Sequence, residues 1–460
     1  MRDAPALAGV ATEDITPPAG VRLSGYAGRP FANIGVLEPL RASVLYLSRG
    51  ETQIVLVAID VIGLSPRDDA WLRREIGQKL GVSADAVIIA CSHTHSGPAT
   101  QLIRATGNKE TAWTQEVLAR AVRAAKSAQA AALPVTSGSE GEAPCFAAMN
   151  RRTPDPPGGA KLDGTNDTGP MDPACRVLRL FGDHGSPVAA LFQYAMHPVS
   201  LSRENRHISP DWVGAARERL ETVWACPVLF LPGCCGDINP RYQKAYVPPN
   251  SDEEKRRVHC RRLGESVAES AIAAAAESVP IPFPLRLGFG SAPASLPLQP
   301  LASPAALAET EEASRKILAQ RNAALSSRQL AQGQLSWVRA CRGMKQGRTS
   351  LPSRVSALRL GTVTLVALPG EIFTEIGQQV RASVPKAWPV GYASGNPGYL
   401  FPDSVQDENG YETEIAFRLY GTQAAGKGTG AALVKAAAKA AADTDPERSR
   451  KGIRETNEQN

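Results

Sequence analysis

Short apolar runs alternate with longer amphipathic stretches along the chain. Seven runs rich in Val, Ile and Leu are bounded by turn residues and predict strands over 42–49, 53–60, 86–93, 175–182, 187–197, 227–233 and 363–370. Apolar residues at helical spacing predict helices over 66–81, 110–131, 210–224, 252–276 and 303–326. Strands alternating with helices indicate an α/β fold, with a mixed β-sheet core flanked by helices.

The pattern of elements predicts one large domain. The chain has 460 residues, which is enough to bury a sizeable core. We predict a single catalytic domain over residues 8–436, with a helical excursion at about 300–350. From 437 to 460 the pattern predicts the end of an Ala-rich helix, followed by a charged, unpatterned and disordered tail.

Composition narrows the class of protein. Hydrophobic residues make up 43% and charged residues 21% of the chain, which is ordinary for a soluble globular protein. The net charge of +6 is spread along the sequence, so we predict no nucleic-acid partner. No secretory signal and no membrane-length apolar run is seen, which predicts a cytoplasmic protein without a membrane partner. The eight cysteines form no CxxC pair and are predicted to be buried free thiols.

Polar residues able to bind a metal follow five of the apolar runs. They are Asp60, then His93 with His95, then His197, then Asp237 with Asn239, and finally Glu371. A single polar residue at a strand end is usually a cap or a turn residue. Five such positions are harder to explain in that way, because open α/β sheets place ligands outside the carboxyl ends of their strands. We therefore expect these residues to share one site.

The residue types favour zinc. His93 and His95 stand two apart, so on an extended strand both side chains project from the same face. His197 supplies a further imidazole and Glu371 a carboxylate, and zinc accepts nitrogen and oxygen in a tetrahedral shell. Asp60 and Asp237 are predicted to accept hydrogen bonds from the ligands. Of the other histidines, His184 and His259 are predicted to be structural or solvated, and His207 is left open.

Five segments together resemble a known family. They are "GVATEDITPPAGVRLSGYAGR", "SHTHSGP", "AMHPVSL", "CGDINP" and "ALPGEIFTEIG", in this order. Over roughly residues 8–436 the chain is similar to neutral ceramidases and their shorter bacterial relatives. The resemblance implies a zinc amidohydrolase that cleaves an N-acyl amide. It implies His93, His197 and Glu371 as zinc ligands, with Tyr399 as the fourth ligand and Tyr411 as the alternative. It also implies that His95 stabilises an oxyanion or donates a proton.

Two features depart from the family pattern. Ceramidases carry a serine in the "GDINP" region, where this chain has Asn239, which can donate a hydrogen bond but cannot act as a nucleophile. The chain also stops soon after residue 436, where ceramidases that act on sphingolipids continue into a β-domain. The expected substrate is therefore a soluble small molecule rather than ceramide.

The sequence thus predicts a zinc-dependent hydrolase that uses metal-activated water to cleave an amide, or alternatively an ester. His95, Asn239 and Asp237 are the predicted catalytic residues, and Arg151 is predicted to bind a substrate carboxylate. A phosphoester or sulfoester hydrolase with two metals, using Asp60 and Asp237, is one alternative. A binding module without activity is another. The number of metals and the oligomeric state, including a homo-oligomer, stay open.

Overall fold

The computed structural model describes residues 4–29, 32–106, 109–153, 166–241, 252–408 and 410–445. The strands β1 to β20 are, in chain order, Ala6–Asp14, Gly35–Val36, Arg41–Arg49, Thr52–Ile59, Val87–Cys91, Leu133–Val135, Ser137–Pro144, Ala148–Asn150, Ala174–Phe181, Pro187–Tyr194, His207–Ile208, Val228–Pro232, Ile238–Pro240, Val279–Pro280, Leu287–Pro297, Ser350–Leu360, Val363–Ala367, Glu371–Ile372, Ala387–Val390 and Tyr399–Leu400. The helices α1 to α9 are Pro66–Leu80, Thr111–Ala130, Trp212–Trp224, Glu253–Ala276, Pro304–Ala319, Leu325–Arg342, Thr374–Ser383, Phe417–Tyr420 and Thr429–Ala442.

Three larger sheets form the framework. Their strand orders are β5-β4-β3-β1-β6, β12-β10-β9-β7-β14 and β15-β16-β17-β19. Each is mixed, because each contains one parallel pair among antiparallel neighbours, namely β4 with β5, β10 with β12, and β17 with β19. The predicted α/β fold with a mixed sheet core and flanking helices is confirmed.

The three sheets share one apolar core. On β3, Leu45 and Leu47 belong to a buried cluster that also contains Leu191 of the second sheet and Leu365 of the third. The neighbouring residue Tyr46 belongs to a different cluster, which lies under the helices. This division follows from the two-residue period of a strand, which sends alternate side chains to opposite faces. Both faces of the sheet are buried, so the sequences of its strands are continuous apolar runs rather than alternating ones.

Helices cover the outer faces of the sheets. Helix α2 packs on β1 and β3, α4 packs on β7 and β9, and α9 packs on β15 and β16. None of the helices in the described ranges is long and apolar enough to span a membrane. All eight cysteines are buried and free, as predicted.

All seven predicted strands are present, with ends that differ by a few residues. The prediction of one helix over 303–326 is wrong at its end, because α5 stops at Ala319 and α6 begins at Leu325. Several strands were not predicted, among them β15 and β16, because their Gly, Ser, Ala and Pro content hides the alternation. Helix α9 ends at Ala442, and the predicted tail over 446–460 lies outside the described residues.

The parallel pairs of the three sheets bring five chain segments to one place. Backbone hydrogen bonds join the sheets just beyond the carboxyl ends of these strands: Cys91 donates to Tyr392, Gly391 donates to Pro232, and Gly236 donates to Ile372. The segments that follow β5, β10, β12, β17 and β19 are therefore held against one another. This convergence places the residues of the candidate site.

Candidate active site

His93, His197 and Glu371 meet where the three sheets converge. His93 follows β5, His197 follows β10 and Glu371 follows β17, so each sheet contributes one of them. All three are buried, with about 1% of each residue exposed. His93 has a backbone φ of 69°, a left-handed conformation that few non-glycine residues adopt.

Backbone carbonyls fix the tautomer of two imidazoles. Nδ1 of His93 lies 2.6 Å from the carbonyl oxygen of Ile62, and Nδ1 of His197 lies 3.1 Å from that of Ile238. A carbonyl can only accept, so each Nδ1 carries the proton and donates it. In a neutral ring Nε2 then presents a lone pair. Burial lowers the pKa of His197 to about 4, which keeps that ring neutral at neutral pH.

The carboxylate of Glu371 completes the group. Its Oε2 lies 3.4 Å from Nε2 of His93 and 3.4 Å from Nε2 of His197. Within the described ranges this buried Oε2 accepts no hydrogen bond. Burial alone would raise the pKa of Glu371, but the imidazoles of His93 and His197 hold it well below its usual range. An ionised oxygen and two nitrogen lone pairs therefore face one small space.

These distances fit a tetrahedral metal. Zinc ligands at about 2.0–2.2 Å from the ion are separated from one another by roughly 3.3–3.6 Å. The two separations of 3.4 Å that involve Glu371 have this length. The two imidazoles and the carboxylate are therefore a donor set that fits zinc, and the separations from Glu371 fit its ligand spacing.

His95 reaches the same space from the side. Its Nε2 lies 3.2 Å from Nε2 of His93, and the metal-binding atoms of His93, His95 and His197 all lie within 4.8 Å of one another. Burial, followed by the neighbouring His93, lowers the pKa of His95 well below its usual value. The position is compatible with a third histidine ligand and with the predicted role as a donor to the substrate, so that role stays a prediction.

The glycine-rich segment near the N-terminus makes room for His95. Gly25 has a φ of 93°, and a Cβ there would lie 2.4 Å from the imidazole of His95. The buried guanidinium of Arg29 donates to the carbonyl oxygens of Ser24 and His95, which ties the two segments together. The "LSGYAGR" motif thus shapes the site without supplying a ligand.

Two tyrosines, Tyr399 and Tyr411, were predicted as alternatives for the fourth metal ligand. Tyr399 lies opposite Glu371 in the parallel pair of β18 and β20, and its hydroxyl accepts a hydrogen bond from Nη2 of Arg151 at 3.1 Å. The ring of Tyr411 contacts that of Tyr399, with 5.9 Å between ring centroids. Both tyrosines therefore belong to the surroundings of Glu371, and the choice between them as the fourth ligand stays a prediction.

Arg151 is part of a buried ion pair. Its Nε and Nη2 both donate to Oε1 of Glu412, at 3.2 and 2.7 Å, and its side chain is 6% exposed. The guanidinium edge that would grip a substrate carboxylate is thus occupied by Glu412. The predicted contact with substrate is untested, and the observed contact is with the protein.

Asp237 and Asn239 lie on the strand segment after β12. The carboxylate of Asp237 accepts from the backbone N–H of Thr374 at 2.8 Å and from Nδ2 of Asn150 at 2.9 Å. Burial raises its pKa to about 6. The carboxylate therefore links three segments around the site, and its predicted catalytic role stays a prediction. Oδ1 of Asn239 is buried and accepts no hydrogen bond from the described residues.

The prediction that Asp60 orients a metal ligand is wrong. Asp60 accepts from the guanidinium of Arg217 at 2.8 Å and from the backbone N–H of Arg41 at 3.0 Å. The carbonyls of Ile62 and Ile238 orient the histidines instead. His184 is exposed, and His207 pairs with Glu253, so neither belongs to the group.

Three residues of the site were missed from the sequence. The ring of Tyr392 stacks on that of His93, with 4.1 Å between centroids, and its hydroxyl lies 3.4 Å from Nε2 of His197. The hydroxyl of Tyr420 donates to Oε1 of Glu371, and Glu412 holds Arg151. Tyr392 follows β19, so the strand-end pattern would have found it had this short strand been predicted. Nothing in the local sequence marks the other two.

Known proteins that resemble this chain in sequence and in structure are ceramidases. Residues 7–226 match the family model described as neutral/alkaline non-lysosomal ceramidase, N-terminal. The structure is similar to that of neutral ceramidase from Pseudomonas aeruginosa, with a TM-score of 0.69 and 19% identity over 96% of this chain and 74% of that one. It is also similar to a ceramidase complexed with C2, with a TM-score of 0.70 and 20% identity over 97% and 76% of the two chains. A search of curated proteins gave no match. The resemblance predicted from the sequence is confirmed.

Proposed function

We propose, on the premise of this likeness to the neutral/alkaline ceramidases, that the chain is a zinc-dependent hydrolase of an amide bond in a small molecule. An ester bond is the alternative, since the same chemistry attacks both carbonyls. The observation that carries the proposal is the position of Oε2 of Glu371, which accepts no hydrogen bond from the described residues. This oxygen lies 3.4 Å from Nε2 of His93 and 3.4 Å from Nε2 of His197. Nδ1 of each histidine donates to a backbone carbonyl. A buried anionic oxygen and two nitrogen lone pairs repel one another, and a cation bound between these three atoms would remove the repulsion.

His93, His197 and Glu371 would hold the metal, and Tyr399 is the proposed fourth ligand. When bound, zinc supplies a Lewis acid that polarises the scissile carbonyl and acidifies water. Neutral imidazoles and a carboxylate are ligands that zinc prefers, whereas magnesium and calcium favour oxygen shells. Zinc is therefore the proposed ion.

The protein would stabilise the negative charge that develops on the substrate oxygen. His95 lies beside His93, and Oδ1 of Asn239 is buried without a hydrogen-bond partner among the described residues. A hydrogen-bond donor at such a position typically contributes about 3 kcal/mol to catalysis. The amide of Asn239 offers a donor but no nucleophile, which favours direct attack by water over a serine acyl-enzyme.

A two-metal phosphoester or sulfoester hydrolase is less favoured. Such sites need clustered carboxylates around a second ion. Here Asp60 is engaged by Arg217, and Asp237 is engaged by Asn150 and the backbone of Thr374. In the described part of the chain, the group of candidate metal ligands is the one around His93. One metal per chain is therefore the proposed stoichiometry.

The test combines metal content with hydrolysis. Purified protein is loaded with zinc, dialysed and analysed for bound metal, then assayed on a panel of N-acyl amides and esters that includes a short-chain ceramide. His93→Ala and Glu371→Gln remove one ligand each, and His184→Asn changes an exposed histidine as the matched control. We expect about one zinc per chain in the wild type and the control, and loss of zinc and hydrolysis in the two ligand variants.

Two other results would refute the proposal. Wild-type protein that takes up no zinc and hydrolyses nothing on the panel would favour a binding module. Hydrolysis that persists in both ligand variants would place the chemistry elsewhere. Activity on the short-chain ceramide would keep the reaction but replace the predicted substrate class.

A further inference from the structure

Tyr392 places a phenolic hydroxyl beside the candidate metal ligands. Its Oη lies 3.4 Å from Nε2 of His197 and its ring stacks on His93 at 4.1 Å, with an interplanar angle of 23°. The residue is 1% exposed. It is distinct from Tyr399 and Tyr411, the tyrosines that the family resemblance points to.

The backbone holds this side chain firmly. Tyr392 donates its N–H to the carbonyl of Gly370 at 3.0 Å and accepts from the N–H of Cys91 at 3.2 Å, so it joins the segments after β17 and β5. Its φ is 51°, a left-handed conformation that costs a tyrosine free energy. Strain of this kind persists where the surrounding structure dictates it, and it is concentrated at functional sites.

The hydrogen-bond pattern orients the hydroxyl proton. The thiol of Cys235 donates to Oη of Tyr392 at 3.6 Å, which occupies a lone pair of that oxygen. Nδ1 of His197 donates to Ile238, so Nε2 of His197 can only accept. The proton of Tyr392 therefore points toward Nε2 of His197, into the space enclosed by His93, His197 and Glu371.

That acceptor is lost when His197 binds a metal, because one lone pair cannot serve both a cation and a phenol. The hydroxyl proton, still held toward the space by the Cys235 contact, then needs another acceptor there. A substrate carbonyl oxygen bound in this space would be such an acceptor for the hydroxyl of Tyr392, and it would gain negative charge during hydrolysis. A preorganised donor in a buried site stabilises that charge strongly.

We propose that Tyr392 is a catalytic hydrogen-bond donor, whose neutral phenol contacts the substrate oxygen once His197 is engaged by the metal. The inference rests on the proposed hydrolase function and adds a residue to it. Tyr392 thereby supplies a hydroxyl donor in a site where Asn239 stands in place of the serine of the ceramidases.

The test is Tyr392→Phe, which keeps the ring stacked on His93 and removes the hydroxyl. Tyr46→Phe is the matched control, because Tyr46 is also buried and its hydroxyl donates to Gln53 away from the site. Three quantities are measured for each protein: zinc affinity by chelator competition, kcat and KM for a substrate from the panel, and the affinity of the zinc-loaded protein for acetohydroxamate. The last is a carbonyl-bearing metal ligand whose binding requires no turnover.

We expect Tyr392→Phe to bind zinc as tightly as wild type or up to about tenfold more tightly, because the phenol no longer competes for Nε2. The value of kcat should fall about 10²- to 10³-fold, as for removal of an oxyanion donor, with KM little changed. Binding of acetohydroxamate should weaken about tenfold. Tyr46→Phe should leave all three quantities within about twofold of wild type.

Each contrary result is informative. Unchanged kcat and acetohydroxamate affinity in Tyr392→Phe would overturn the inference and leave the hydrolase function standing. A loss of zinc affinity would also overturn it, because Tyr392 would then be a ligand rather than a donor. Wild-type protein without zinc or hydrolysis would refute the proposed function, and this inference with it.

Discussion

The hydroxyl of Tyr420 donates a hydrogen bond to one carboxylate oxygen of Glu371, while the other oxygen faces His93 and His197 at 3.4 Å. Oε1 of Glu371 is therefore used for a hydrogen bond within the protein, and Oε2 is left to face the two histidines. Because the phenol occupies Oε1, the carboxylate is oriented to offer Oε2 alone. Such a partner behind a metal ligand typically changes affinity for the ion without touching it.

Tyr420→Phe should weaken zinc binding by about 10- to 100-fold, the usual effect of removing a hydrogen-bond partner of a ligand. The ring should stay in place, since it packs against Tyr399, with 6.2 Å between centroids, and against Gly398. Chelator competition measures the affinity, and thermal unfolding of the metal-free protein serves as the control for structure. Equal zinc affinities in the variant and the wild type would show that Glu371 needs no such support.

Gly25→Ala should impair activity by displacing His95. Position 25 has a φ of 93° and would place a Cβ 2.4 Å from the imidazole. Gly20→Ala is the matched control, since its φ is 90° and nothing lies within 4 Å of the added atom. Both variants should lose about 1–2 kcal/mol of stability to the left-handed backbone. Only Gly25→Ala should lose activity as well, and equal activities in the two variants would remove His95 from the mechanism.

Glu412→Gln should destabilise the fold by about 3–5 kcal/mol, because it leaves the buried guanidinium of Arg151 without its anionic partner. The exposed pair of Arg219 and Glu269 provides the control, and Glu269→Gln should cost less than about 1 kcal/mol. Urea unfolding monitored by circular dichroism gives both values. A cost for Glu412→Gln no larger than that of the control would mean that Arg151 is free to find another partner, such as a substrate carboxylate.

Asp237 should lower the free energy of unfolding as the pH rises, the opposite of what a carboxylate with a lowered pKa does. Burial raises its pKa from 3.8 to about 6 in the folded protein, so between these values the folded state binds more protons than the unfolded state. Its contribution is then fully present below pH 3.8 and is lost as the pH rises through 6, by about 3 kcal/mol in total. The free energy of unfolding of wild type minus that of Asp237→Asn should fall over this window. A flat difference would show that hydrogen bonds from Thr374 and Asn150 offset the burial.

The sequence was sufficient to predict that His93, His197 and Glu371 lie together, but not to predict the residues that surround them. His93, His197 and Glu371 stand at the ends of apolar strands, and the expectation that strand ends meet led to them directly. Tyr392 has the same placement, but β19 has only four residues, Ala387–Val390, with a Trp and a Pro among them. A run so short and mixed gives no clear strand pattern.

Other parts of the site leave no trace in the sequence. The carbonyls that orient His93 and His197 belong to Ile62 and Ile238, and every residue carries such a group. Tyr420 is 49 residues beyond Glu371, in the single turn of α8. Asp60 was misinterpreted because a strand-end aspartate suits a metal site and a structural ion pair equally well. The three-dimensional position of Arg217 decided between them.

The convergence of three sheets also has a kinetic consequence. Each sheet is followed by one of the three proposed metal ligands, at positions 93, 197 and 371, so no early fragment of the chain contains the complete set. Contacts between segments so distant in sequence form late and slowly during folding. Metal uptake should therefore report the last docking step, and zinc should slow unfolding by keeping the sheets together. We therefore expect the ion to bind only after the three sheets have docked correctly, and to stabilise that assembled state.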